Sequence, residues 1–269
     1  GMKQAIAHPS QVLRYRAAMG HIVNPEQPEA LIPAPDCYLP LGWAPGGATI
    51  SLSAADLILF ARAHLDEGRS LSGQAWLSPT SVKNMQNTRI EVPNDAHPFA
   101  THWGLGWQLV NRPGTPLMFN HGGEVMGQTS MLHIVPEQSM AIAVLQNRIQ
   151  RNALYSISHT LLSELANIDL TEKSPNVECT QDLSRFQGTF NSVATEITVK
   201  VSKTGLTLEA IPTLNAFKSF TYQLKAINDT CFAAYTATGE RESNVVFQDF
   251  DSEGKPDSLY TVFRVFRRL

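Results

Sequence analysis

The sequence is poor in cysteine, in long apolar runs and in clustered positive charge, and each shortage excludes a class of protein. Its three cysteines, Cys37, Cys179 and Cys231, stand far apart, so we expect neither a disulfide framework nor a cysteine metal site. No apolar run approaches the roughly 18–20 residues of a membrane-spanning helix. A net charge of −3 gives no reason to expect nucleic acid as a partner.

The histidines and the first residues extend these exclusions. No two of the eight histidines form a His-x-x-x-His pair, so we expect no metal site and no cofactor. Residues 1–4 are not followed by the apolar segment of a signal peptide, so the sequence leaves the localisation open. With 43% hydrophobic and 17% charged residues, the chain has the composition of a globular protein that buries a large core.

The chain begins with a proline-rich stretch and continues with a clear helix signal. Residues 1–50 show little periodicity, so we expect them to wrap over another part of the protein, with only a short helix around Val12–Met19. Ser53 with Asp56 three residues later forms a capping box, and Gly68 is a stop signal. The sequence therefore predicts a helix between Ser53 and Gly68.

Strand patterns follow, separated by glycine and proline turns. Residues 103–110 predict one strand, and further strands are predicted at 118–121, 129–135 and 140–146. Apolar residues at helical spacing then predict an amphipathic helix over 152–166. Together these elements predict an α+β domain.

A polar segment at 169–181 is the predicted linker, which assigns residues 1–168 to the first domain. Over residues 182–269 the pattern changes to short alternating runs between turn residues, which predicts an antiparallel β domain in the form of a small barrel. Such a barrel either holds an apolar ligand or is filled by its own side chains, and the filled interior is the expected form.

The densest group of candidate functional residues is His121-Gly122-Gly123-Glu124 on a predicted strand. A histidine followed by two glycines leaves the backbone open to a ligand, whose polar end the imidazole can contact. Glu124 is a candidate acid or base beside it. From composition alone, a glycine-rich hairpin with an exposed histidine and a solvated carboxylate explains the same residues.

Four segments of the chain carry a family resemblance when they are taken in order. They are Gly1-Met2-Lys3-Gln4, Pro45-Gly46-Gly47 with Ser51–Asp56, Trp103-Gly104-Leu105-Gly106-Trp107, and His121-Gly122-Gly123 through Pro136 to Leu145-Gln146-Asn147. In this order they resemble the β-lactamase/penicillin-binding-protein superfamily, in its class C, esterase and D-aminopeptidase branch. The segment at Asp182–Phe190, with Gly205–Leu208 and Asp251–Lys255, resembles the lipocalin-like extension of many such hydrolases.

The resemblance implies an incomplete β-lactamase-like antiparallel sheet with flanking helices, followed by a lipocalin-like barrel. It implies that the strand of His121, Gly122 and Gly123 lies beside a catalytic serine and contacts substrate, and that the N–H of Glu124 is an oxyanion-hole donor. The implied reaction is acyl transfer from an ester, a D-amino-acid peptide or a β-lactam to serine and then to water. Members of the family are often periplasmic or secreted.

The nucleophile motifs of this family are absent from the sequence. The family places a lysine three residues after its serine on a helix and adds a Tyr-x-Asn or Ser-x-Asn motif. The only Ser-x-x-Lys is Ser252–Lys255, whose Gly-Lys-Pro context predicts a hairpin turn, and Tyr-x-Asn does not occur. Lys203-Thr204-Gly205 imitates the third motif, but Gly205 is the natural turn residue of a hairpin. Thr80–Lys83 has the first spacing with threonine, and Ser174-Pro175-Asn176 lies in the predicted linker.

The leading prediction is therefore a fragment of a serine hydrolase that takes a small-molecule or peptide substrate and is catalytically silent alone. The alternative is a non-catalytic module that binds a peptide or a lipid-like ligand. Because N-terminal strands of the family sheet are missing, the strand at 103–110 or that of His121 is expected to present an unpaired edge. This edge predicts a homodimer, a strand exchange, or coverage by the proline-rich segment.

Overall fold

The structure is a computed structural model that describes all residues except 25, 28, 37–38, 48, 126, 176–181, 204 and 214–218, with only the backbone described at 9 and 13. It contains two compact units, residues 1–90 with 102–170 and residues 91–101 with 171–269. Cys37, Cys179, Thr204 and the last part of the predicted linker lie outside the described residues.

The structure describes three α-helices in the first unit, and a serine side chain caps the start of two of them. Ser53 Oγ accepts the N–H of Asp56 at 3.1 Å, and the N–H of Gly68 donates to Ala63 at 2.7 Å, so the predicted helix is confirmed between those residues. Where a helix was predicted around Val12–Met19, a single 3₁₀ segment ends at Arg14 instead. The helices are α1 (Ala54–Leu65), α2 (Pro79–Gln86) and α3 (Arg151–Ala166). None of the described helices is long and apolar enough to cross a membrane.

Eight strands precede α3, and six of them form one antiparallel sheet. They are β1 (His21–Val23), β2 (Leu31–Pro33), β3 (Ile90–Glu91), β4 (His102–Trp103), β5 (Gln108–Val110), β6 (Met118–Val125), β7 (Gln128–Val135) and β8 (Met140–Gln146). The sheet has the order β3-β4-β5-β6-β7-β8, while β1 and β2 pair separately. Strands predicted at 118–121, 129–135 and 140–146 are confirmed as β6, β7 and β8.

The segment predicted as one strand over 103–110 is two strands joined by a glycine turn. The N–H of Gly104 donates to the carbonyl of Trp107 at 2.8 Å, and Gly106 has a φ of +79°. A Cβ at Gly104 would collide with the carbonyl oxygen of Met85. The glycines therefore serve a tight turn under α2, and the prediction of a continuous strand is wrong.

The predicted unpaired edge is found on part of the strand of His121. Beyond Asn120, β6 has a strand partner on one side only among the described residues. Residues 103–110 lie inside the sheet, whose outermost strands are β3 and β8, so the alternative position of the edge is wrong. Strand order depends on contacts between distant parts of the chain, which local patterns do not contain.

Helices cover both faces of this sheet. On one face α1 packs through Ala61 against a core that includes Trp107, Phe119, Leu132 and Ile134. The opposite face of β7 and β8 is covered by α3, whose buried residues are Leu154, Ser158, Leu162 and Ala166. The sheet is thus the middle layer of the first unit.

The second unit is a closed barrel of eight antiparallel strands, as predicted. Its strands are β9 (Gly188–Asn191), β10 (Thr195–Ser202), β11 (Gly205–Pro212), β12 (Phe220–Ala226), β13 (Cys231–Tyr235), β14 (Arg241–Phe250), β15 (Pro256–Thr261) and β16 (Arg264–Arg268). Phe186, Phe190, Phe232 and Phe247 belong to its buried core. Side chains therefore fill the barrel, which is the expected form.

Residues 91–101, which the sequence alone assigns to the first domain, pack with the barrel. The carboxylate of Asp95 accepts bonds from Lys173 Nζ at 2.9 Å and from Asn228 Nδ2 at 3.1 Å. Its backbone carbonyl accepts a bond from Asn244 Nδ2 at 2.6 Å. This inserted segment is therefore a structural part of the second unit.

Candidate functional site

The candidate residues lie on the half of β6 that has a neighbour on one side only. Residues 118–120 pair with β5, whereas 119–125 pair with β7. Beyond Asn120, the side of β6 that faced β5 has no strand partner among the described residues. Backbone groups of His121 to Glu124 that point to this side are therefore open to a ligand, apart from the Gly122 carbonyl, which contacts the His121 ring.

The imidazole of His121 is exposed at the start of this half-strand. Its Nδ1 lies 2.6 Å from the carbonyl oxygen of Gly122, and its ring meets that of Trp103 edge-on at 6.0 Å between centroids. A carbonyl oxygen can only accept, so Nδ1 carries the proton in this contact and Nε2 presents a lone pair. The side chain can accept a hydrogen bond from a ligand, or donate one when it is protonated.

A cavity of about 200 Å³ adjoins the half-strand on the face covered by α1. Its polar groups come from His121, Gly122, Gly123 and the hydroxyl of Ser130, and the rest of its lining is apolar. Ser130 pairs with Gly123 across β6 and β7, and a Cβ at Gly123 would lie 3.0 Å from its Oγ. The glycine thus keeps the floor of the cavity open beside the serine.

Glu124 is part of an ion pair. Its Oε1 lies 2.6 Å from Nη2 of Arg151 at the start of α3. The two side chains are 31% and 38% exposed, so water reaches the pair and weakens it. The carboxylate of Glu124 therefore has a cationic partner at the start of α3.

The proline-rich segment covers the turn next to these residues, which is the wrapping expected for it. The N–H of His21 lies 3.1 Å from the carbonyl of Gly127 and 2.9 Å from that of Asn147. Gln128 Nε2 donates to the carbonyl of Ala18 at 3.1 Å. Gly127 has a φ of +71°, and a Cβ there would lie 2.6 Å from the His21 nitrogen. This close approach explains the glycine.

The imitations of the missing motifs lie where the sequence predicts them. Ser252–Lys255 falls in the turn between β14 and β15, where Gly254 has a φ of +75°. Gly205 is the first residue of β11 and pairs with Ser202, the last residue of β10. Lys83 on α2 lies 3.9 Å from Glu67, and its side chain is 72% exposed at the surface. None of these groups lines the cavity beside His121.

A second histidine of the sheet, on the strand next to His121, has a structural place. His133 is fully buried on β7, and burial lowers its pKa to about 3, so it is a packed neutral residue. No group of three or more His, Cys, Asp or Glu among the described residues is placed to hold a metal ion. Ser130 and Arg151 were not singled out from the sequence. Ser130 can be recognised as a site residue once its pairing with Gly123 is known. No local pattern in the sequence indicates a role for Arg151.

Comparisons with known proteins agree with this architecture. Residues 1–165 match the family model described as Beta-lactamase. Penicillin-binding protein 4 of Amycolatopsis lactamdurans is 33% identical over 178 residues, which cover 64% of this chain and 45% of that protein.

Solved structures share the fold. The octameric penicillin-binding protein homologue from Pyrococcus abyssi matches with a TM-score of 0.51 at 18% identity, over 99% of this chain and 57% of that one. SurE matches with a TM-score of 0.63 at 24% identity, over 94% of this chain and 56% of that one. The structure of SurE with D-Leu matches with a TM-score of 0.58 at 25% identity, over 83% of this chain and 52% of that one.

The chain thus spans about half the length of the relatives it matches. The family match covers more than half of the chain and includes α1, the six-stranded sheet and the strand of His121. The chain belongs to the β-lactamase family of penicillin-binding-protein-like serine hydrolases.

Proposed function

We propose that this chain provides the substrate-binding wall of a serine acyl-transfer site and does not turn over substrate alone. The observation that carries the proposal is the half-open strand from His121 to Glu124, which borders a cavity without a serine–lysine pair. The only Ser-x-x-Lys of the sequence lies in a barrel turn. A polypeptide that brings the nucleophile is therefore required for turnover.

In the complete reaction, a serine hydroxyl adds to the substrate carbonyl, its proton passes to a neighbouring base, and the leaving group departs. Water then cleaves the acyl-serine ester. This chain binds the substrate and polarises its carbonyl group. The N–H of Glu124 donates to the developing oxyanion, and His121 contacts the polar end of the substrate. Gly122 and Gly123 allow the substrate backbone to approach the strand closely.

The substrate class under this proposal is an ester, a D-amino-acid peptide or a β-lactam. Support for the D-amino-acid peptide comes from SurE, which was solved with D-Leu and is 25% identical to this chain. The cavity of about 200 Å³ can hold one side chain of a substrate and is smaller than the roughly 300–1,000 Å³ of most ligand pockets. We also propose that copies associate as a homodimer or by strand exchange through an unpaired sheet edge.

The experiment compares the chain alone with a fusion that places before it the part of the Amycolatopsis protein that it does not cover. Hydrolysis of a chromogenic cephalosporin, a p-nitrophenyl ester and a D-alanyl p-nitroanilide is followed. The chain alone is expected to match the buffer blank, while the fusion turns over at least one substrate. His121→Ala in the fusion should lower kcat/KM by about 10- to 1,000-fold, the range seen when a stabilising donor is lost.

The matched control is His8→Ala, which removes an exposed histidine that does not line the cavity. It should leave kcat/KM of the fusion unchanged. Turnover by the chain alone that His121→Ala abolishes would refute the proposal of inactivity. A fusion that folds and binds a labelled D-peptide without turnover would instead support the alternative, a non-catalytic binding module.

A further inference from the structure

Strands β3 and β4 are the two arms of a hairpin whose tip is part of the barrel unit. The tip is formed by residues 91–101, which belong to that unit. The arms are hydrogen-bonded to each other, because the N–H of Val92 donates to the carbonyl of Thr101 at 2.8 Å and the N–H of Arg89 donates to that of Trp103 at 2.8 Å. The hairpin is therefore one continuous element from its tip to Trp103.

Polar contacts of Asp95 fix this tip to the barrel. Its carboxylate accepts bonds from Lys173 and Asn228, and its carbonyl accepts a bond from Nδ2 of Asn244. Oδ1 of Asn244 accepts bonds from Nε and Nη2 of Arg241 at 3.3 and 2.8 Å, which keeps Nδ2 turned towards the tip. The side chain of Asp95 is 19% exposed, so a change of its charge falls in a mostly enclosed place.

A strained turn of the barrel also packs on the tip. Val262 and Phe263, the two residues between β15 and β16, have φ values of +47° and +58°. Left-handed backbone in such two-residue turns is usually left to Gly, Asn or Asp, because larger side chains collide with the backbone. The turn brings the ring of Phe263 to 4.5 Å from that of His97 in the tip, measured between centroids. Phe99 of the tip is 1% exposed. Packing and polar contacts thus hold the tip together.

The other end of the hairpin reaches the candidate site through Trp103. Trp103 pairs with Gln108 on β5, and Gln108 pairs with Asn120, the residue before His121. The ring of Trp103 also meets the imidazole of His121 edge-on. Because His121 is exposed, burial does not fix its imidazole, and the position of the ring depends on its contacts with Trp103 and with the carbonyl of Gly122. A displacement of the hairpin therefore reaches the imidazole.

We infer that the barrel positions the imidazole of His121, because it holds the hairpin tip at Asp95 and thereby fixes Trp103 against His121. Asp95 is a positioning residue, which touches no substrate and acts through the hydrogen-bonded hairpin. The barrel, whose interior is filled by its own side chains, contributes to the site through this hairpin rather than through a ligand of its own. The consequence for catalysis rests on the proposed acyl-transfer function, whereas the link from Asp95 to His121 needs no substrate.

The first test observes the imidazole of His121 by NMR in the full chain. The histidines are labelled at Cε1, and the signal of His121 is assigned as the one that His121→Ala removes. Asp95→Lys places a second cation beside Lys173 and should push the tip away from the barrel. The ring of Trp103 then moves relative to the imidazole, its ring-current effect changes, and the His121 signal shifts by more than its line width.

The matched control is Asp251→Lys, which makes the same change of charge elsewhere in the barrel. Asp251 lies in the turn between β14 and β15, where its carboxylate accepts the N–H groups of Glu253 and Lys255. Like Asp95, it therefore has a lysine close by, but it is not bonded to the hairpin tip. Asp251→Lys should leave the His121 signal where it is in the unchanged chain.

A double-variant cycle tests whether the effect passes through Trp103. In a Trp103→Ala background, Asp95→Lys should no longer shift the His121 signal, because the side chain that transmits the displacement is gone. A signal that still shifts in that background overturns the route through Trp103.

The second test measures turnover in the fusion with the Amycolatopsis part. Asp95→Lys should lower kcat/KM by about 10- to 100-fold and act mainly on kcat, which is the scale of a misplacement of about 1 Å. Asp251→Lys should leave kcat and KM unchanged. A merely structural role of Asp95 would instead lower the amount of folded enzyme, which active-site titration of the fusion measures separately.

The outcomes separate this inference from the proposed function. An unmoved His121 signal in a folded Asp95 variant overturns the inference, and so does an equal shift with Asp251→Lys. If the unchanged fusion shows no turnover while only Asp95→Lys shifts the signal, the link stands and the acyl-transfer proposal fails. Circular dichroism shows that each variant is folded. Asp95→Asn, which removes the charge and keeps the shape of the side chain, replaces Asp95→Lys if that chain does not fold.

Discussion

Acid should destabilise the first unit through His64, a histidine enclosed by aromatic rings. His64 is 2% exposed, and its ring centroid lies 4.9 Å from that of Phe60, 5.5 Å from Trp76, 5.2 Å from Trp107 and 6.2 Å from Phe119. Neither ring nitrogen has a hydrogen-bond partner among the described residues. A protonated imidazole in this place would lose its hydration without gaining a partner.

The size of the effect follows from the pKa of His64 in the two states. Burial lowers that pKa from 6.5 to about 4 in the folded protein. The unfolded chain binds a proton near pH 6.5, while the folded unit stays neutral until about pH 4, so stability falls as the pH falls through this window. Linkage between the two values gives a loss of about 2.5 kcal/mol in the free energy of unfolding at pH 4.5.

The assay is urea unfolding at pH 7 and pH 4.5, followed by tryptophan fluorescence. All four tryptophans lie in the first unit, so the signal reports on that unit alone. His64→Phe keeps an aromatic ring but cannot be protonated, and it should remove about 2.5 kcal/mol of the acid-induced loss. His133 is unchanged in both proteins, so its own contribution cancels.

His8→Phe is the control, because His8 is exposed. It should lose as much stability between the two pH values as the unchanged protein does. If His64→Phe also loses the same amount, the folded unit does not exclude the proton from this site, and the reasoning is refuted.

Three further predictions concern other parts of the chain. Gly127→Ala should destabilise the first unit by clearly more than Gly114→Ala, for which we expect a loss of about 1 kcal/mol in the free energy of urea unfolding. Both glycines have left-handed backbone, but of the two only Gly127 faces another backbone segment within 3 Å. Equal losses would contradict this. Asp95→Asn should lower the free energy of unfolding of the barrel by about 1–3 kcal/mol, measured by circular dichroism. The change removes the negative charge that pairs with Lys173 and accepts the hydrogen bond of Asn228. An unchanged unfolding transition would show that the inserted segment does not stabilise the barrel. Burial raises the pKa of the Cys231 thiol to about 12. With the other two cysteines changed to serine, an aromatic disulfide reagent at pH 8 should therefore label Cys231 only when the barrel opens. Labelling within seconds in buffer would contradict this prediction.

Local signals were enough to predict most elements of the fold. The capping serine before α1 and the glycine after it determine where that helix begins and ends. Alternating apolar residues predict the barrel strands, because each strand has one face in the core and one in water. The same alternation misled at 103–110, since Trp-Gly-Leu-Gly-Trp alternates like a strand. The hydrogen bond from Gly104 to Trp107 and the left-handed backbone of Gly106 make it a turn.

Features that depend on distant contacts could not be predicted from the sequence. Asp95 belongs to the barrel because it bonds Asn228 and Asn244, more than 130 residues later. The free edge belongs to β8, because strand order follows from which strands meet in space. Local patterns contain neither kind of information.

Some features of the candidate site could likewise be predicted from the sequence, and others could not. His121 and its two glycines were found because they stand in an ordered set of four segments that resembles the family, while the three residues alone fit a glycine-rich hairpin equally well. The ion pair of Glu124 was missed because its partner, Arg151, comes 27 residues later at the start of a helix with no special pattern. The open side of β6 agrees with the unpaired edge expected for the strand of His121, and its extent is set by the start of β5 at Gln108, opposite Asn120.

The central claim is that this chain forms one wall of a serine-hydrolase site and holds no nucleophile of its own. Intact-protein mass spectrometry after incubation with excess penicillin and with a fluorophosphonate ester tests it most directly. The account predicts that the chain keeps its mass of 29.6 kDa. In the fusion with the Amycolatopsis part, it predicts one adduct on a serine of that part. A stoichiometric adduct on Ser130, Ser252 or any other serine of this chain alone would contradict it.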